Sequence, residues 1–481
     1  MQIEADRIQV SPLPVGLTPP AAPLPFFRYV RTVQANALAG FHQDVYDQSI
    51  VETKRWRLHT FIVNDPAGIR HVLVDNAENY VKGSMEPRIS AAWFEKGFVA
   101  EGARPRERRR TMSSSFDYRS VLENSAIILN SAQTQLAKWD ALPPGTVIEV
   151  SEEMAALSLE IISRIIFSSD SAEMAPIMER VFRRTQAEIV FDLLDFAPLL
   201  DRPWNSYKRS RVRRIFAEMD AAIERLVAKR TGQGAHAGDD LLGRLIREKN
   251  AETGLALSPR EIRGQIITVI GAGHQSVALS LGWIWYLLSQ HPLHEARLHA
   301  ELAEVLAGRT PSPEDLPRLS YLRMIIDESL RLYPPFPAMA WRGAIADDEV
   351  CGVRIPKGST VSIVPWVLHR HTKLWDHPGQ FDPERFLPER SKERSRYAYL
   401  PFGVGPRVCI GAAFAITQMM LILATLAPRF RLRMVPGHVV EPQGLVSLRS
   451  RDGWKMTLER GLPDAPFPDP EAVSPRPACR V

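Results

Sequence analysis

Phe402-Gly403-Val404-Gly405-Pro406-Arg407-Val408-Cys409-Ile410-Gly411 is the stretch on which the reading of this chain turns. Its glycines permit positive φ and close backbone approach, so the loop can fold tightly and present the Cys409 sulfur to something large and flat. A thiolate that holds an iron needs such a bulge. Backbone N–H groups aimed at the sulfur tune its charge, and apolar neighbours keep water away. Arg407, two residues before the cysteine, can meet an anion beside it. A buried structural thiol is the other reading of the same loop, because free cysteines are among the most buried residues.

The spacing resembles the haem-binding loop of the cytochrome P-450 superfamily, the haem-thiolate monooxygenases, whose pattern Phe-x-x-Gly-x-Arg-x-Cys-x-Gly is met at Phe402, Gly405, Arg407, Cys409 and Gly411. The resemblance implies haem b with Cys409 as its axial iron ligand, Phe402 packed near the sulfur, and Arg407 on a haem propionate. It implies a mainly α fold with small β-sheets, a triangular prism in which the haem lies between a long central helix and the cysteine loop.

That helix can be read independently. Ser258-Pro259-Arg260-Glu261 offers an N-cap serine, a proline at the first helical position and a glutamate at the third, which together form a capping box. Apolar residues continue to Leu288, so the helix runs for roughly 30 residues, or about 45 Å. Gly271, Ala272 and Gly273 stand in its middle, where each glycine costs about 1 kcal/mol relative to alanine. Small side chains there let a flat ligand approach and permit a local kink; close helix packing is the alternative. By the resemblance Ala272 and Gly273 border the haem. Relatives commonly place an acid and an alcohol next, as a proton relay to dioxygen. Here the run is His274-Gln275-Ser276. Ser276 keeps the hydroxyl, Gln275 cannot ionise, and His274 lies 100° round the helix. Ser276 and Gln275 are therefore the candidate catalytic residues. The missing acid leaves a peroxide-driven enzyme, an isomerase or a dehydratase open beside the monooxygenase.

Glu328 and Arg331 sit at i and i+3, on one helical face. By resemblance they form a buried ionic cluster with Arg385. Trp341-Arg342-Gly343 resembles the strand whose arginine meets a propionate, and Gly102 to Phe116 resembles the helix that supplies another, with Arg109 matching the arginine and Pro105 in place of the usual aromatic. Two haem carboxylates call for two or three bidentate cations, here Arg109, Arg342 and Arg407. The pocket implied involves Ala272, Ala338, Met339, Leu445, Val446 and parts of Ser84 to Phe98 and Ile189 to Leu200, a mostly apolar set that suits a lipophilic substrate.

With 481 residues, 45% hydrophobic and 24% charged, the chain is long enough for a large core. Three cysteines exclude a disulfide framework and fit a reducing compartment. No stretch reaches the roughly 18 to 20 apolar residues of a membrane span. The expectation is a soluble cytoplasmic monomer, with one domain over 1–461 and a flexible proline-rich tail over 462–481. Prolines from Pro12 to Pro25 predict an extended lead-in through the first forty residues. Leu58 to Val63 and Val350 to Val364 read as strands, the latter with a hairpin. The basic run Arg104, Arg106, Arg108, Arg109, Arg110 is either a solvated face or a surface for an acidic protein, and nothing points to nucleic acid. The chain carries no G-x-G-x-x-G nucleotide loop and no iron–sulfur cysteine cluster, so its electrons must come from a separate ferredoxin or flavodoxin with its reductase.

Overall fold

The computed structural model describes residues 16–55, 58–82, 109, 112–116, 118–186, 201–232, 238–249, 254–338 and 340–461. The tail from 462 with Cys479, the arginines flanking Arg109, Pro105, Met339, Pro12 and Pro14, and the segments Ser84 to Phe98 and Ile189 to Leu200 lie outside them.

The long helix spans Pro259–Gln290, 32 residues. Its start is built as the sequence dictates: Ser258 Oγ accepts the Glu261 N–H at 3.4 Å, and the Glu261 carboxylate accepts the Ser258 N–H at 3.0 Å. Pro292 does not merely stop it but opens the next helix, Pro292–Leu306. Ile266, Ile267, Ile270, Leu281, Trp283, Ile284 and Leu287 are all fully enclosed. A helix apolar all round has to be the centre of a large core, and helices Val150–Phe167 and Ala412–Leu426 pack on it. It is the one helix among the described residues long and apolar enough to cross a membrane, yet 72% of that apolar window is buried within the protein.

Beside the helices lies a five-stranded sheet in the order Ile50–Arg55, Leu58–Val63, Thr360–Ile363, Ala340–Ala344, Tyr80–Lys82. Leu58–Val63 runs parallel to Thr360–Ile363, and the other pairs are antiparallel. The hairpin Asp348–Val350 and Val353–Ile355 turns at Cys351 and Gly352, with φ of 47° and 78°. Both positions are left-handed, as a two-residue hairpin turn requires. A smaller sheet joins Val147–Glu149, Lys455–Arg460 and Phe430–Met434.

The lead-in departs from expectation. Phe26–Ala35 is a helix, with Pro25 at its N-cap at φ −55°. The prolines all precede position 26, and a proline just outside a helix start costs nothing because no N–H is needed there. The long helix also shows no break at its glycines; it stays α-helical from end to end. Ser276 Oγ donates to the Ala272 carbonyl at 2.7 Å, adding a bond to that turn while leaving the backbone ladder closed.

Candidate functional site

The cysteine loop is held by its own backbone. Gly403 and Gly405 adopt φ of 71° and 77°. The Val408 N–H donates to the Gly405 carbonyl at 3.0 Å, and the Cys409 N–H donates across the loop to the Phe402 carbonyl at 2.8 Å. Gly405 has a second reason to be glycine, since a Cβ there would stand 2.0 Å from the Leu73 carbonyl oxygen. The Leu73 turn, within His71–Asp75, thus backs the loop. Gly411 caps the helix Ala412–Leu426, and its N–H reaches the Cys409 sulfur.

Cys409 itself is exposed, although protein surrounds it closely. Burial pushes its pKa up, while the Gly411 N–H and the Arg109 charge pull it down. Arg109 reaches the same loop, where its guanidinium donates to the Val408 carbonyl. Burial lowers the pKa of Arg109, and the nearby Cys409 opposes that. Arg407 is exposed at the end of the Gly405–Arg407 turn. Arg342 is buried in its strand, opposite Val361 on one side and Lys82 on the other. Phe402 and Ile410 pack on the main core.

Between its two ends the long helix opens at one place. Its residues are enclosed from Gly264 to Ile270 and again from Val277 to Leu288, whereas Gly271, Ala272, Gly273, Gln275 and Ser276 are partly accessible. Ala272, Gln275 and Ser276 share a face by their spacing. His274 turns away from them as its position predicts, into the core beside Phe182, with Nδ1–H donated to the Ile270 carbonyl at 2.7 Å. Its burial keeps the ring neutral. A Cβ on Gly273 would meet Ile162 of the helix Val150–Phe167 at 3.6 Å, an ordinary contact.

The ionic cluster is present and sealed. Glu328 takes both Nε and Nη2 of Arg331, at 2.6 and 2.8 Å, and Arg385 approaches its other side at 3.4 Å. Arg331 spends its remaining donors on the carbonyls of His369, Pro378 and Gln380. His369 went unread in the sequence, yet it links this cluster to the cysteine loop. Its Nδ1 bonds the Arg331 carbonyl at 3.2 Å and its Nε2 accepts the Leu400 N–H at 2.9 Å. Leu73 was missed as well, for its role is a backbone carbonyl that no side-chain pattern announces.

One accessible thiol with the Arg109 guanidinium beside it suits an iron porphyrin with carboxylates. The family profile Cytochrome P-450 matches residues 19–450. This chain belongs to the cytochrome P-450 family. It is 33% identical to cyclooctat-9-en-7-ol 5-monooxygenase of Streptomyces melanosporofaciens, over 81% of this chain and 83% of that one. It is 34% identical to pentalenene oxygenase of Streptomyces avermitilis, over 71% and 75%. The cytochrome P450DA haem domain carrying three substitutions superposes with a TM-score of 0.74 at 24% identity, covering 91% of this chain and 93% of that one. The triangular, mainly α cytochrome P-450 fold is therefore this chain's fold, and the chain is a haem-thiolate monooxygenase, an oxidoreductase.

Proposed function

We propose that Cys409 carries the haem iron and that the protein oxygenates a lipophilic carbocycle, a cyclic hydrocarbon or its alcohol. Electrons come from a separate ferredoxin or flavodoxin and its reductase. The exposed thiol enclosed by protein carries the assignment; the substrates in the relatives' names carry the substrate class. Arg109, Arg342 and Arg407 hold the two propionates, and residues 1–461 act as one catalytic domain, a cytoplasmic monomer.

Haem, when bound, supplies the reductive activation of dioxygen, after which one oxygen atom enters the substrate and the other leaves as water. The chain's own residues set the conditions. Phe402 and Ile410 anchor the loop on the core, and the Gly411 N–H withdraws charge from the sulfur. Ala272 and Gly273 keep the central helix low where the ligand lies. Ser276 donates its proton to the Ala272 carbonyl, so its free lone pairs accept from a water. Gln275 orients water by its amide but delivers no proton of its own.

The test is the spectrum of the reduced protein with carbon monoxide. A strongly red-shifted Soret band, lost in Cys409→Ser, is expected; a band typical of histidine ligation would overturn the assignment. Titrating cyclic hydrocarbons and their alcohols into the ferric protein should displace the iron-bound water, whereas a response only to linear chains would refute the substrate class. Gln275 favours a second reading, a peroxide-driven or non-oxygenating enzyme. Product formed with peroxide, and none with reductant and redox partners, would select it.

A further inference from the structure

We infer that Trp283 and Asn36 are positioning residues, a two-point clamp that fixes the Leu445-Val446-Ser447 turn over the open face of the long helix and so sets the shape of substrate the enzyme accepts. The inference rests on the haem-monooxygenase reading of that face. Ala272, Ser276, Leu279 and Trp283 follow one another at i, i+4, i+7 and i+11, so they form a single stripe along the helix. Ala272 and Ser276 lie in its open part; the stripe closes at Leu279, and Trp283 is fully buried one turn further on.

From that point two loops hang. Trp283 Nε1–H donates to the Leu448 carbonyl at 3.2 Å, and the Leu448 N–H donates to the Pro335 carbonyl at 2.9 Å. The indole cannot turn to release this bond. It stacks on Tyr333 at 3.8 Å and 2° and meets the edge of Trp454 at 4.9 Å. Trp454 comes that close because position 282 is glycine, whose Cβ would lie 2.5 Å from the Trp454 ring.

The opposite edge of the turn is held by the N-terminal region. Asn36, 7% exposed, donates its side-chain amide to the Pro442 carbonyl at 2.8 Å and accepts the Gly444 N–H at 3.0 Å. Leu38 fills the space a Cβ on Gly444 would need. The hairpin between the clamps is minimal, Pro442–Gly444 paired with Leu448–Ser450. A two-stranded hairpin of that size does not hold its shape alone. What the clamps hold out is apolar: Val446 is 39% exposed, and Phe336 on the neighbouring loop is 38% exposed. Apolar side chains kept exposed on loops tied to the far end of the stripe, about 10 Å along the helix from Ser276, can form a wall for a lipophilic ligand.

The test compares holoprotein with Trp283→Phe, which keeps the stacked ring but loses the N–H, and Asn36→Ala, which loosens the far edge. Ferric spectral titrations use imidazole, too small to reach the turn, and clotrimazole, a bulky triaryl imidazole that fills the pocket. Each variant should leave the imidazole affinity unchanged and alter the clotrimazole affinity by roughly fivefold or more, the scale of a shape mismatch of a methylene or two. Hydrogen exchange at 442–450 should rise in parallel. Equal shifts for both azoles, or none, in both variants would overturn the clamp; a response from Asn36→Ala alone would overturn the part given to Trp283. If Trp283→Phe yields no holoprotein, Asn36→Ala decides. Absence of any imidazole spectrum in the unmodified protein would instead overturn the haem reading beneath it.

Discussion

Gly405 and Gly411 lie in one loop and answer to different physics. At Gly405 the backbone is left-handed and a Cβ would enter the Leu73 carbonyl, which belongs to a packed turn that cannot yield. Gly405→Ala should cost about 3 kcal/mol or more, from φ strain and overpacking together. Purification should then give mostly haem-free protein, read as the ratio of Soret to protein absorbance. At Gly411 φ is −92° and a Cβ would lie 4.0 Å from the Cys409 sulfur, an ordinary contact. Gly411→Ala should fold within about 1 kcal/mol of the parent. Equal losses for the two would mean that the Leu73 contact is not what demands glycine. Along the central helix Gln275→Glu supplies the acid this chain lacks, beside a Ser276 hydroxyl already oriented by Ala272. The fraction of consumed electrons that appears in product should rise; an unchanged or lower fraction would point to a different relay.

The helix Ser320–Leu332 matters as an element because its Glu328–Arg331 pair ties the chain before the cysteine loop to the core. Both side chains are completely buried, so removing one leaves the other charged and unsolvated. Arg331→Ala should cost about 3 to 5 kcal/mol. The expected outcome is apoprotein or aggregate, and recovery of stable holoprotein would refute the role. This pair was legible in the sequence because its spacing is local, as were the long helix with its capping box, the strand Leu58–Val63 and the turn at Gly352. The helix Phe26–Ala35 was not: a cluster of prolines dominated the reading, although none falls inside it. Nor were the clamps at Trp283 and Asn36, each of which joins residues far apart along the chain through a backbone carbonyl or amide. Such partners carry no side-chain signature, so only the folded backbone reveals them.

Across the whole molecule, burial of neutral histidines sets the response to acid. His369 is enclosed, and burial, reinforced by the charges of Arg331 and Arg370, pushes its pKa from 6.5 down to about 3. His291 and His299 are pushed down to about 4, chiefly by burial, with His294 acting on the first and Arg431 and Arg433 on the second. A histidine depressed in the folded state takes its proton first in the unfolded chain. Its stabilisation is therefore complete above pH 6.5 and drains away as pH falls toward 4 and 3. Around pH 5 three such protons give a slope on the order of 4 kcal/mol per pH unit. Against a total stability of about 5 to 15 kcal/mol, that slope dominates the acid limb. The urea midpoint of the holoprotein should stay level between pH 8 and 7 and then fall steeply below about 6.5, the pKa of an unperturbed histidine. His369→Asn removes one of these protons and should make the fall less steep. It should also lower the midpoint at neutral pH, because the Leu400 N–H loses its acceptor. A midpoint unchanged from pH 7 to 5 would mean that these rings are already charged in the native state, and that the core around them is wetter than its packing implies.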